Sequence, residues 1–150
     1  MTVQAYNILN IVDTINYCIE HDIGFQHHLL QYPPHLSTAV LPQSVRDIAA
    51  ERLFSFAKRQ QRGLRGSFMR PDLLESIPEL AAAIASQKIP DDNRLFHEFN
   101  LFTNDMDASR GQDFATALPE LSQLLAECGS PWTSENRFTR PRRTGAVASG

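Results

Sequence analysis

The feature that most constrains the fold is a strand–helix–strand pattern at the start of the chain. Residues 2–8 (TVQAYNI) are rich in β-branched and aromatic side chains, which favour strands. Residues 25–31 (FQHHLLQ) form a second segment of this kind. Between the two segments, Ile11, Ile15 and Ile19 recur at helical spacing. This order, within about thirty residues, predicts a βαβ unit whose two strands run parallel.

The remainder of the chain is predicted to be mostly helical. A short third strand is predicted over 36–41, and helices from residue 42 onward, over 71–87 with a break at Pro78, up to Gly111, and over 116–128. Parallel sheets need cover on both faces and more than two strands. Either the helices cover a minimal sheet or the strands belong to a larger sheet, and we favour the larger sheet.

Two local expectations concern helix ends and helix faces. Gly24 is expected to end the first helix in the left-handed conformation that follows many helices. In the helix after residue 42, one apolar stripe contains Val45, Ile48, Ala49, Leu53 and Phe56. Arg46 is expected to be solvated with the other charged residues of that helix.

Length and composition bound the class of protein. A chain of 150 residues predicts one compact domain, and its net charge of −3 argues against non-specific nucleic-acid binding. No apolar run approaches the ~20 residues that a membrane span requires. Two cysteines are too few for a disulfide scaffold. These features predict a cytoplasmic protein with no nucleic-acid or membrane partner.

Clusters of polar residues give no catalytic assignment. Four histidines fall between His21 and His35, but His27 and His28 are adjacent in a predicted strand and point to opposite faces. No cysteine or carboxylate stands beside them at ligand spacing, so no metal site is predicted. Asp107 is better explained by a helical ion pair with Arg110 than by acid–base chemistry.

Five segments together resemble a known family. They are residues 2–10 (TVQAYNILN), 30–37 (LQYPPHLS), 40–42 (VLP), 106–114 (MDASRGQDF) and 118–121 (LPEL). In order and spacing they resemble the C-terminal half of twitch-type radical S-adenosylmethionine proteins. That resemblance implies an α/β fold, the end of a partial (β/α) barrel followed by an all-helical C-terminal extension.

The resemblance also implies how the chain is divided and what it lacks. Residues 1–41 would be the closing βαβ segment, 42–128 the helical extension and 129–150 a disordered tail. The family holds a [4Fe–4S] cluster on a Cys-x-x-x-Cys-x-x-Cys motif, whereas this chain has only Cys18 and Cys128. We therefore expect a fragment that contributes to the cavity for S-adenosylmethionine and substrate and is inactive alone. Its partner would be the missing N-terminal barrel half, on the same polypeptide or a separate chain.

Candidate binding residues follow from the carboxyl ends of the two strands, where parallel α/β sheets bind ligands. Gln4 and Asn7 are candidates for cofactor binding, and His28, Gln31 and Tyr32 for substrate binding. Gln4 and Asn7 point to opposite faces of a regular strand, so both can line one cavity only if the strand ends between them. A peptide or protein substrate is implied by the family's relatives.

A second hypothesis belongs to a different class of function. In it the chain is a stand-alone, non-catalytic α/β module that pairs an exposed sheet edge with a partner. An edge strand presents unpaired backbone donors and acceptors, which form a template for another strand.

Overall fold

A computed structural model describes residues 1–63, 71–88 and 93–130. Strand β1 (Thr2–Val3), helix α1 (Ile11–Glu20) and strand β2 (His28–Leu29) come first, followed by helices α2 (Gln43–Gly63), α3 (Pro71–Ser86), α4 (Arg94–Arg110), α5 (Phe114–Ala117) and α6 (Pro119–Glu127). Three short 3-10 turns lie at Ala5–Asn7, Pro34–Leu36 and Thr38–Val40. The tail predicted over 129–150 falls outside the described residues from position 131 onward.

The predicted fold class is wrong, because the protein is mostly helical and is not the end of an α/β barrel. The two strands contain two residues each and form a two-stranded sheet. They pair in parallel, Thr2 with His28 and Val3 with Leu29. The segment 36–41, predicted as a third strand, instead contains 3-10 turns. Of the two arrangements considered for the strands, the structure has the minimal sheet among helices.

The side chain of Asn7 explains why β1 is so much shorter than the predicted strand over 2–8. Its Nδ2 donates to the carbonyl of Thr2 at 2.9 Å, and its Oδ1 accepts from the amide of Gln4 at 2.9 Å. These bonds turn the chain back on itself directly after Val3, and the 3-10 turn follows. The Asn7 side chain therefore forms hydrogen bonds with backbone groups that would pair with a neighbouring strand if β1 were longer.

The core joins the N-terminal unit to the helices. Buried apolar residues of the N-terminal part are Val3, Ala5, Ile8, Leu9, Ile11 and Ile15. Those of α2 and α3 are Val45, Ala49, Ala50, Leu53, Phe56, Ala57, Ile77, Leu80, Ala81 and Ile84. The predicted apolar stripe of α2 is thus confirmed at Val45, Ala49, Leu53 and Phe56, whereas Ile48 is only half-buried. The cluster is completed by Val40 and Leu41, which precede α2, and by Phe99, Phe114, Leu121 and Leu125 of the C-terminal helices.

Arg46, expected to be solvated, is instead fully buried on α2. Its Nε donates to the carbonyl of Leu41 at 3.2 Å, and Nη2 donates to Oε1 of Gln43 at 2.6 Å. Nη1 donates to the carbonyls of Ile84 and Gln87 at the C-terminal end of α3. The guanidinium therefore caps a helix terminus whose carbonyls lack helical partners and whose dipole favours positive charge.

One predicted helix end is confirmed, and two other predictions about helix continuity are wrong. Helix α4 ends at Gly111 with φ 63°, as predicted, in a conformation that glycine adopts without strain. The break expected at Pro78 is wrong, because α3 continues through it. Ile77 and Leu80, on either side of the proline, are fully or almost fully buried, and this packing holds the helix together. The last predicted helix is divided at Pro119 into α5 and α6.

The left-handed residue after α1 is Asp22, with φ 52°, and not the predicted Gly24. The amide of Asp22 bonds the carbonyl of Ile19 at 3.3 Å, and that of Ile23 bonds the carbonyl of Cys18 at 2.8 Å. These two bonds form a Schellman motif, in which the left-handed residue is the one after the C-cap. In α1 that residue is Asp22, two positions before Gly24.

We expect Asp22→Gly to stabilise the protein by about 0.5–1 kcal/mol, because glycine adopts a positive φ without strain. Removing a negative charge from the C-terminal end of α1 should also help. The variant Asp22→Asn removes the charge alone and serves as the matched control. Urea unfolding would measure both changes, and a glycine variant no more stable than the asparagine variant would contradict the backbone argument.

Candidate functional site

The two-stranded sheet has one edge whose outward backbone groups form no hydrogen bond to another described residue. The amide of His28 donates to the carbonyl of Met1 at 3.0 Å, and that of Leu30 donates to the carbonyl of Val3 at 2.8 Å. Because successive residues direct their backbone groups to opposite sides, those of His27 and Leu29 face away from β1. No backbone bond joins them to any other described residue. We call this edge, formed by the outward groups of His27 and Leu29, the open edge.

The opposite edge of the sheet, on β1, is closed by Asn7. The outward carbonyl of Thr2 and the amide of Gln4 both bond the Asn7 side chain. An amide side chain placed in this way occupies the positions that a neighbouring strand's backbone would use. A partner strand can therefore add to the sheet at the open edge and not beside Asn7.

Side chains alternate along the open edge as they do in a longer strand. Phe25, His27 and Leu29 are half-buried against the body of the protein, whereas Gln26 and His28 are exposed. The expectation that His27 and His28 point to opposite faces is thus confirmed. Burial lowers the pKa of His27, and so does the neighbouring His28, while Glu79 acts in the opposite direction.

The pKa of His27 predicts a pH dependence of stability. Because folding lowers this pKa from its ordinary value of 6.5, the unfolded chain takes up more protons as the pH falls. The contribution of neutral His27 to the free energy of unfolding is therefore complete above pH 6.5 and decreases as the pH falls below it. We expect His27→Gln to lose less stability than the wild type between about pH 7 and pH 5.5.

Urea midpoints at several pH values would measure this difference. The variant His97→Gln removes an exposed histidine of α4 and serves as the control, which should follow the wild type. If His27→Gln and the wild type lost stability in parallel, His27 would not be the responsible group.

The structure places the predicted cofactor residues together and the predicted substrate residues in solvent. Gln4 and Asn7 are adjacent, since β1 ends between them, but both polar atoms of the Asn7 side chain are already hydrogen-bonded. The role of Gln4 and Asn7 in cofactor binding stays a prediction from the sequence. His28, Gln31 and Tyr32 are exposed, and Tyr32 is 85% accessible. The roles of His28, Gln31 and Tyr32 in substrate binding stay predictions from the sequence.

A groove that the sequence did not reveal lies between α1 and α2. It has a volume of about 500 Å³, and Val12, Asp13, Arg52 and Arg59 are among the residues that line it. Arg52 forms a two-pronged salt bridge with Glu120 of α6, and these hydrogen bonds lower the pKa of the Glu120 carboxyl. The two residues are 68 positions apart, so no local pattern indicated the pair.

The described residues include no cluster that could hold a metal ion. No group of three or more His, Cys, Asp or Glu side chains is close enough to hold a metal ion in residues 1–63, 71–88 and 93–130. Within the same ranges, no helix has the length and apolarity to cross a membrane. The open edge has a defined binding chemistry, because its backbone donors and acceptors can pair with another strand. Comparison with protein-family models, curated proteins and solved structures finds no match to this chain.

Proposed function

We propose that this protein is a non-catalytic interaction module that binds an extended segment of a partner along its open edge. The observation that carries the proposal is that the outward backbone groups of His27 and Leu29 bond no other residue in the part of the chain that the structure describes, beside an edge that Asn7 closes. An added strand would bond these groups through its main chain, and its alternate side chains would supply specificity. The free thiols of Cys18 and Cys128 support our placement of this binding in the reducing cytoplasm.

The radical S-adenosylmethionine hypothesis gains no support from the observed fold. It depended on strands that join a larger barrel sheet, whereas β1 and β2 contain two residues each. A missing barrel half, a bound cluster and a peptide substrate of the parent enzyme stay predictions from the sequence. The edge-pairing hypothesis requires only the short strands that are present.

Selection of short random peptides displayed on phage, with the full chain as target, tests the proposal. We expect selected peptides to slow hydrogen exchange at the amides of His27 and Leu29, because an added strand would bond these groups. Selection of peptides that leave both amides unprotected, or failure to select any peptide, would contradict edge pairing.

Two substitutions at His27 separate the main chain from the side chain. His27→Pro removes an outward amide and is tolerated at a sheet edge, whereas His27→Ala removes only the imidazole. We expect the proline variant to bind a selected peptide at least about tenfold more weakly and the alanine variant to bind almost normally. Equal binding by the proline variant and the wild type would overturn the proposal.

A further inference from the structure

We propose that the partner at the open edge is a second copy of this chain, paired antiparallel about a twofold axis that passes beside His28. This inference rests on the proposed function, and it specifies the partner. In an antiparallel pair, two facing residues exchange both of their backbone bonds. With the axis at His28, His27 of each copy faces Leu29 of the other, so the outward groups of both copies are satisfied. The interface is self-complementary, as a twofold dimer requires.

The composition of the edge favours self-pairing. The ionisable side chains of residues 23–32 (IGFQHHLLQY) are those of His27, His28 and Tyr32. The segment contains no Lys, Arg, Asp, Glu or Pro. Edge strands of natural proteins commonly carry charges or proline that prevent pairing with another copy. This edge has neither device, so no lysine, arginine or carboxylate of the segment itself repels a second copy.

Exposed apolar side chains flank the edge on both sides. Ile23 is 49% accessible and Tyr32 is 85% accessible. The register about His28 brings the Ile23 end of one copy beside the Tyr32 end of the other. Each copy thus covers an apolar side chain that the other leaves in water. The dimer would also convert two marginal two-stranded sheets into one four-stranded sheet.

Sedimentation equilibrium of the full chain at pH 8 tests the inference. We expect a monomer–dimer equilibrium that His28→Lys weakens at least about tenfold, because it places two ammonium groups opposite each other across the axis. His28 is exposed, so the substitution leaves the core intact. The neutral control His28→Gln should dimerise like the wild type.

A mixture of His28→Lys and His28→Glu chains gives the sharpest result. Each variant alone should be monomeric at concentrations where the wild type is dimeric, and the mixture should recover dimers because opposite charges then face each other. Recovery is expected only if position 28 lies opposite itself. A wild type that stays monomeric, or a dimer unaffected by His28→Lys, would overturn the inference. If such a monomer still bound selected peptides at His27 and Leu29, the proposed function would stand without self-pairing.

Discussion

Replacing Arg46 with methionine is expected to lower the free energy of unfolding by about 3 kcal/mol, a large part of the stability of a domain of this size. The side chain is completely buried, and its five N–H donors serve three backbone carbonyls and one amide oxygen. Methionine fills a similar volume but donates no hydrogen bond. The buried carbonyl of Leu41 would lose its bond to Arg46, and the carbonyls of Ile84 and Gln87 would each lose one acceptor contact at the end of α3. Loss of a partner at a buried polar group is the costly side of deleting a hydrogen bond.

Burial of the charge limits how large this loss can be. Desolvation lowers the pKa of Arg46, which shows that the guanidinium is held in an environment that disfavours charge. Methionine removes that cost, so the net effect is smaller than the sum of the lost bonds. The variant Arg46→Lys keeps the charge but has three donors on one nitrogen, and we expect an intermediate loss.

Arg59→Met is the matched control, because it makes the same substitution at an exposed position of the same helix. We expect it to change stability by less than about 0.5 kcal/mol. Urea or thermal unfolding of the three variants would give the comparison. Equal stabilities for the variants at positions 46 and 59 would show that the buried bonds of Arg46 contribute little.

The contrast between Arg46 and the apolar stripe shows which parts of the fold the sequence could predict. The burial of Val45, Leu53 and Phe56 follows from spacing within one helix, and so periodicity was sufficient. The burial of Arg46 depends on carbonyls at Ile84 and Gln87, about forty positions later in the chain. No local pattern contains that information.

The sheet was overpredicted for a related reason. Residues 2–8 and 25–31 have the composition of strands, but composition does not show how far two segments pair. The side chain of Asn7 ends β1 after Val3 by bonding its backbone neighbours. The larger sheet was favoured because both segments were treated as full strands, and two parallel strands alone are not stable. The barrel itself was implied by the family resemblance.

The sequence predicted that a sheet edge would be exposed, but it did not predict which edge. An exposed sheet edge was expected as soon as two strands were predicted. Which edge is open depends on the register of His28 with Thr2 and on the position of Asn7, and only the structure contains both. The alternating exposure of His27 and His28 was the one detail of the open edge that followed from the sequence alone.

Phe99→Ala is expected to lower the free energy of unfolding by about 3–5 kcal/mol. The ring is fully buried on α4 and lies 5.2 Å from the ring of Tyr6 and 6.2 Å from that of Phe114, in an edge-to-face arrangement. Tyr6 belongs to the turn after β1 and Phe114 begins α5, so one side chain joins the two ends of the described chain. Its removal leaves a cavity among residues that cannot easily close it.

Phe102→Ala is the control on the same helix, because Phe102 is only half-buried and its ring contacts His35 at 5.2 Å. We expect its loss of stability to be clearly smaller, and unfolding in urea would measure both. A loss at Phe99 no larger than that at Phe102 would contradict a central role for the aromatic cluster.

The phenol of Tyr6 provides a second readout of the same substitution that does not depend on unfolding. Burial raises the pKa of Tyr6 above 10.0, although its hydrogen bond with Thr103 lowers it in part. Removing the Phe99 ring admits water beside the phenol, so this pKa should fall toward 10.0. Ultraviolet titration of the phenolate, with Tyr6→Phe to assign the signal, would detect the change. A Tyr6 pKa that did not move in a destabilised Phe99→Ala protein would mean that the cavity had collapsed and kept the phenol dry.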